Sequence, residues 1–134
     1  MLIAFLLTFA ILTQWPDAAW ALSADIQARV TAMQKDAEDM VAHGGMGDAK
    51  AIVHHCGEVT KHAEAILGVL PPVDPHSLEA AGQLREAIRY CQKVAKFGSN
   101  VDPGVTLNPA TKARSAVHAA VKHLSLIQGD KSRQ

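Results

Sequence analysis

The sequence has few aromatic residues and no excess of either charge. Phenylalanine, tryptophan and tyrosine make up 4% of the 134 residues, too few for the stacking platforms on which proteins bind bases. Lysine plus arginine equals aspartate plus glutamate, with 13 residues in each class. Because no block of basic residues occurs, the chain lacks the positive surface that binds nucleic acid or an anionic membrane.

The short motifs of catalysis and cofactor attachment are also missing. The two cysteines, Cys56 and Cys91, form neither a C-x-x-C nor a C-x-x-C-H sequence, which excludes c-type haem attachment. There is no H-E-x-x-H sequence, glycine-rich phosphate loop, nucleophile motif or pair of Glu-x-x-His segments. These absences argue against an enzyme, and we expect the chain to act by binding.

The first 21 residues are typical of a secretory signal peptide. Residues 2–12 are almost all Leu, Ile, Phe and Ala, and the segment ends in Ala19-Trp20-Ala21, an A-x-A cleavage pattern. The apolar run is shorter than the roughly 20 residues that cross a bilayer. No Lys or Arg precedes it, so an uncleaved membrane anchor is the competing interpretation. We predict export to the periplasm and a mature domain of residues 22–134 without a stable membrane span.

Four long segments with helical periodicity lie between Gly and Pro residues. The first repeats apolar residues at the spacing of one helix face: Ile26, Val30, Met33, Ala37 and Met40. Helices are predicted over residues 24–43, 48–70, 75–97 and 109–128, the last opened by Asn108-Pro109 and ended by Gly129. On the third helix the expected inward residues are Ala81, Leu84, Ile88, Cys91 and Ala95. The pattern predicts an all-α fold, an antiparallel up-down-up-down four-helix bundle.

The chain has seven histidines, and the first two helices place several of them beside carboxylates. His55, Glu58 and His62 share one flank of the second helix, next to its apolar stripe. Asp36 and His43 occupy the equivalent flank of the first helix. If the chain reverses near residues 45–46, residues whose numbers sum to about 91 lie level, which places Asp36 beside His55. Whether the two flanks face each other or both face away is open at this point.

If the flanks do face each other, these side chains form a candidate metal site. Imidazole and carboxylate together suit copper, zinc, nickel or iron. Histidines seven residues apart on a helix are separated by about 10 Å, so a shared ion would need ligands from the facing helix. One or two sites that span the first two helices are therefore predicted. The alternative is a set of solvated polar residues at the edge of an amphipathic stripe.

The cysteines lie on the apolar stripes of the second and third helices. A reversal near Val73 would place Cys56 and Cys91 at nearly the same height, both facing inward. In an oxidising compartment this placement favours a disulfide, and closing a loop of about 35 residues would contribute roughly 3–4 kcal/mol. Buried free thiols and a thiolate pair that holds copper(I) are the alternatives.

One part of the chain resembles the small metal-binding protein (SmbP) family. The resemblance lies in Asp36-Ala-Glu-Asp-Met-Val-Ala-His43-Gly44, followed by Gly47, His55, Glu58 and His62-Ala63, and more loosely in Leu84-Arg-Glu-Ala-Ile88 and Lys122-His123-Leu124. It implies an exported four-helix bundle that binds copper and other divalent metals, with His43, His55 and His62 retained as ligands. Where the family has histidine, this chain has Asp36, Asp48, Gln83 and Tyr90, which implies one or two ions and makes Asp36 an oxygen ligand.

The sequence thus predicts a periplasmic protein that buffers or carries copper, or another divalent metal such as zinc or nickel. The predicted metal ligands are Asp36, His43, His55, Glu58 and His62. The alternative is a metal-free helical module of the cell envelope, stapled by a disulfide, that binds a partner or senses a ligand. The sequence does not identify a protein partner.

Overall fold

The computed structural model describes residues 24–72 and 74–131, which form four α-helices and no strand. The helices are α1 (Ala24–Gly45), α2 (Ala49–Leu67), α3 (Pro75–Phe97) and α4 (Pro103–Lys131). The predicted all-α class is confirmed for this part of the chain. The predicted signal peptide, residues 1–21, and Val73 at the predicted reversal lie outside the described residues. Among the described helices, none has the length and apolar character needed to cross a bilayer.

Side-chain caps set the starts of α2 and α3. The Asp48 carboxylate accepts a hydrogen bond from the Ala51 amide at 2.9 Å, and Asp74 accepts one from the Ser77 amide at 3.0 Å. Such caps satisfy amide groups that have no partner in the first helical turn. Gly98 ends α3 with φ of 74°, a conformation that glycine adopts without a steric penalty. The bounds of α3 are those predicted.

The fourth helix begins earlier than predicted. Its first residue is Pro103, and residues 103–107, expected in a loop, are helical. Asp102 caps this start, because its carboxylate accepts a hydrogen bond from the Gly104 amide at 2.8 Å. Pro109 therefore lies inside the helix, where it removes the bond to the carbonyl of Val105. Val105 is exposed, so water can satisfy that carbonyl.

The end of the fourth helix also differs from the prediction. Gly129 was expected to terminate it, but α4 continues to Lys131. A glycine inside a helix costs about 1 kcal/mol relative to alanine, which weakens the helix without ending it. A glycine ends a helix readily when it takes a positive φ, as Gly98 does.

All four helices contribute to one hydrophobic core. The predicted stripe of α1 is buried in full. On α3, Leu84 and Cys91 are buried as predicted, but the other buried apolar residues are Ala80, Ala87 and Val94 instead of Ala81, Ile88 and Ala95. The buried face of α3 is rotated relative to the predicted one, because this helix packs against both α2 and α4. Alanines flank the stripe on both sides, so the sequence alone could not fix its exact position.

Three helices approach closely at Gly44, near the end of α1. A Cβ atom on this glycine would lie 2.7 Å from Cδ1 of Leu107 on α4 and 3.0 Å from Cδ1 of Ile52 on α2. Both distances are shorter than ordinary van der Waals contact. The absence of a side chain at Gly44 therefore allows the start of α4 to pack on the hairpin of α1 and α2, close to where His43 lies.

Candidate metal centre

Asp36 of α1 and His55 of α2 meet across the seam between their helices. The carboxylate Oδ1 is 2.9 Å from the ring Nδ1, and the side chains are 19% and 16% exposed. An ionised carboxylate only accepts hydrogen bonds, so Nδ1 is the donor. The prediction that Asp36 and His55 lie level is confirmed, and the two flanks face each other.

Asp39 joins this pair and was not among the predicted ligands. Asp36, Asp39 and His55 each offer one ligand atom, and these atoms all lie within 4.8 Å of one another. Bonds of about 2.1 Å would place two ligands of a tetrahedral ion about 3.4 Å apart, so modest side-chain rotations would bring all three onto one ion. The spacing in the sequence could have identified Asp39 as a ligand, because it follows Asp36 by three residues and therefore shares its helix face.

Lys35 and the histidines fix the charge of Asp39. The Lys35 ammonium lies one turn away and forms an ion pair with the Asp39 carboxylate. Its hydrogen bond is the main reason why the pKa of Asp39 lies below its usual value, and the charges of His55 and His43 lower that pKa further. Asp39 is therefore ionised at neutral pH and can exchange Lys35 for a metal ion.

His62 lies beside Asp36 and has a ring nitrogen without a partner. Its Nε2 is 3.8 Å from Oδ2 of Asp36, too far for a hydrogen bond. Its Nδ1 is buried and makes no hydrogen bond with any residue that the structure describes. A buried polar atom in this state costs about 1–3 kcal/mol. Nε2 is the nitrogen that faces Asp36, so an ion held by Asp36 would meet His62 at that atom.

Two further histidines surround His55. The ring of His43 stacks on it, with centroids 5.4 Å apart and planes at 14°. The ring of His54 packs against it edge-on, with centroids 5.2 Å apart. His43 is thus brought to the cluster as the sequence predicts. His54 is an additional member, although its own side chain is exposed.

Glu58, also predicted as a ligand, is not one of the three groups whose ligand atoms converge. Its carboxylate pairs with Lys61 on the next turn at 3.2 Å. This hydrogen bond is the main reason why the pKa of Glu58 lies below its usual value, with smaller effects from His62 and His54. Glu58 therefore contributes negative charge near the histidines while its own partner is a lysine.

Two histidine contacts lie away from the seam. Nε2 of His118 is 2.6 Å from Oε1 of Glu38, with both side chains about half exposed. The rings of His76 and His123 bring their Nδ1 atoms within 3.3 Å of each other on the surface. The pair of Glu38 and His118 joins a carboxylate to an imidazole without burial, which makes it a natural control for Asp36 and His55.

The two cysteines meet in the core between α2 and α3. Both are buried and free, and the Cys56 sulfur also lies 3.2 Å from the sulfur of Met40. The hydrogen bond with Cys91, followed by burial, raises the pKa of the Cys56 thiol well above its usual range. Both cysteines face inward, as predicted. No disulfide joins them in the structure, and their oxidation in an oxidising compartment stays a prediction.

Comparison with known proteins identified no relative of this chain. Protein-family models, curated proteins and solved structures all gave no match to this chain. The resemblance to the small metal-binding proteins rests on the residues quoted for it and stays a prediction. The arguments for function therefore come from the geometry of the seam between α1 and α2.

Proposed function

We propose that this chain is a metal-binding protein whose site lies on the seam between α1 and α2. Asp36, Asp39 and His55 would hold the ion, with His43 and His62 next to it. The observation that carries the proposal is the convergence of three ligand atoms from two helices. Nε2 of His62 lies close to the same carboxylate, 3.8 Å from Oδ2 of Asp36.

The ligand types favour copper(II), zinc or nickel as the cargo. Mixed imidazole and carboxylate sites suit these borderline ions, and copper(II) binds most tightly among the divalent metals of the first transition row. The ligands are only partly buried, so an ion can exchange with solvent without unfolding of the core. This accessibility suits a protein that buffers or carries copper, or another divalent metal, and that performs no catalysis.

We also propose that the helices form an antiparallel up-down-up-down bundle. Each helix contacts the next one in the chain, and α1 also contacts α4. The three residues between α1 and α2 and the five between α3 and α4 are short connections, typical of antiparallel neighbours. In such a bundle the seam lies on two rigid elements, which hold metal ligands more precisely than loops. Export to the periplasm is proposed from the pattern of residues 1–21.

The first test is isothermal titration of copper(II) into the purified, metal-free protein at neutral pH. We expect one or two ions to bind with a dissociation constant of about 1 μM or lower. The double variant Asp36→Asn/His55→Ala should weaken this binding by about 100-fold or more, a loss of roughly 2.7 kcal/mol. The matched control Glu38→Gln/His118→Ala, which removes an exposed pair of the same chemistry, should bind as the unmodified protein does.

Equal copper affinity in both double variants would refute the site. Absence of saturable binding in the unmodified protein would refute the function, and the disulfide-stapled interaction module would then be the better description. Protons compete with metal for imidazole, so affinity should fall as the pH drops through about 6. The triple variant with alanine at His43, His55 and His62 should lose binding over the whole pH range.

A further inference from the structure

A second group of metal-binding atoms lies in the core beneath the seam. We call Met40, Cys56 and Cys91 the sulfur cluster. Their side chains are 0%, 2% and 2% exposed. The sulfur of Cys56 lies 3.2 Å from that of Met40, and Cys91 is the neighbour that most raises the pKa of Cys56. One thioether and two thiols from three different helices are therefore neighbours in the core.

We propose that the sulfur cluster binds one copper(I) ion, with Cys56, Cys91 and Met40 as ligands. Thiolate and thioether sulfur are soft ligands that select copper(I) over harder ions. The ligands of the seam site are carboxylates and imidazoles, so the two sites differ in chemistry and share no residue. The core site therefore stands independently of the proposed function.

The contact between Met40 and Cys56 fits a three-coordinate ion after a small adjustment. Metal–sulfur bonds of about 2.3 Å place the sulfurs of a trigonal site about 4 Å apart. The contact between Met40 and Cys56, at 3.2 Å, must therefore open by less than about 1 Å. Methionine has three rotatable bonds and fills irregular space readily, so Met40 can move without displacing the helices.

Binding at this place exchanges the thiol protons for the ion. Each cysteine that binds releases one proton to solvent, and the metal stays copper(I), so no oxidant or reductant is consumed. The first thiolate cancels the charge of the ion, and the second leaves the site with a net charge of −1. An ion has a short path from solvent to the sulfur cluster, because Met40 is adjacent to Asp39 and Cys56 is adjacent to His55 in the sequence. Both of those polar neighbours lie on the partly exposed seam.

The test is anaerobic titration of copper(I) into the purified full chain, with both thiols reduced and a chromogenic copper(I) chelator as competitor. We expect one copper(I) per chain and ultraviolet absorption from thiolate-to-copper charge transfer. Cys56→Ser and Cys91→Ser should each lower affinity by at least about 100-fold, and Met40→Leu by about tenfold. Met33→Leu is the matched control, since Met33 is equally buried on the same helix and the exchange conserves volume.

The outcomes separate this proposal from the seam site. Asp36→Asn/His55→Ala should lose copper(II) binding and keep copper(I) binding with its absorption. Undiminished copper(I) affinity in the two serine variants would overturn the proposal, as would equal effects of Met40→Leu and Met33→Leu. A reduced chain that binds no copper(I) would overturn it as well, whatever the copper(II) titration shows. Circular dichroism of each variant confirms that a loss of affinity comes from a folded protein.

Discussion

The orphaned nitrogen of His62 leads to a prediction about stability that can be tested without any metal. His55 and His62 lie seven residues apart on α2, and each side chain is 16% exposed. They differ in one respect: His55 donates a hydrogen bond to Asp36 at 2.9 Å, whereas Nδ1 of His62 has no partner. Leucine is similar to histidine in size and cannot form hydrogen bonds, so His55→Leu and His62→Leu make a matched pair of substitutions.

The two changes should have opposite effects on the free energy of unfolding of the metal-free protein. His55→Leu removes the partner of a largely buried carboxylate, and losing a hydrogen bond to a charged group costs about 1.5–3 kcal/mol. His62→Leu removes a buried atom that lacks a partner, which relieves part of a penalty of about 1–3 kcal/mol. The long approach of His62 to Asp36, at 3.8 Å, offsets little of that gain. We expect His62→Leu to be neutral or stabilising by about 1 kcal/mol.

Urea denaturation followed by circular dichroism, with a chelator present, measures this difference. A gap of about 2–3 kcal/mol corresponds to roughly 9–13 °C in the melting temperature of a domain of this size. Both variants should also bind copper(II) more weakly, so His62→Leu would gain stability and lose copper affinity. If His62→Leu destabilises the protein as much as His55→Leu, then His62 contributes to packing and the argument from its unpaired nitrogen fails.

Two further predictions concern helix ends. In urea denaturation, Gly44→Ala should be less stable than Gly45→Ala by about 1–3 kcal/mol. A Cβ at Gly44 would lie 2.7 Å from Leu107, whereas a Cβ at Gly45 would have no atom within 4 Å. Equal stabilities of the two variants would argue against an α4 that starts at Pro103. Asp74→Ala should cost about 1 kcal/mol at pH 7. Hydrogen bonds from Ser77 lower the pKa of Asp74, so the stabilisation is present above the unfolded pKa of about 3.9 and is lost as the pH falls through the folded pKa. Unfolding curves of both proteins from pH 7 to 3 should therefore converge at low pH, and a constant difference would contradict this assignment.

Helical periodicity predicted the elements because each segment repeats apolar residues over several turns. It could not decide where α4 begins, since Asp102-Pro103 and Asn108-Pro109 are equivalent start signals at the level of sequence. Tertiary packing decides: Thr106 is fully buried and Leu107 lies against Gly44, and both contacts need the earlier start. The face of α3 was uncertain for a related reason, because Ala80 and Ala81 are equally apolar and only the neighbouring helices distinguish them.

Residue numbers alone predicted which residues of adjacent helices lie level. The connection between α1 and α2 has only three residues, so the predicted register of the two helices carries little error. The contact of Asp36 with His55 followed from that register. Asp39 was not predicted, because Asp36 and His43 define one flank of α1 and Asp39 lies beside that flank. The contact of His76 with His123 lies between helices whose register depends on the misjudged start of α4, so the sequence could not predict it.

The order of residues along α1 and α2 also explains why two kinds of metal ligand lie so close together. Consecutive residues of a helix point about 100° apart, so the polar member of Asp39-Met40 faces the seam while the methionine enters the core. His55-Cys56 repeats this arrangement on the facing helix, and the hairpin brings both dipeptides to the same region. Carboxylate and imidazole ligands are therefore sorted to the accessible side and sulfur ligands to the dry side. A harder divalent ion and a soft monovalent ion would thus bind on different sides of the same hairpin, and substitutions on one side should leave the other side able to bind.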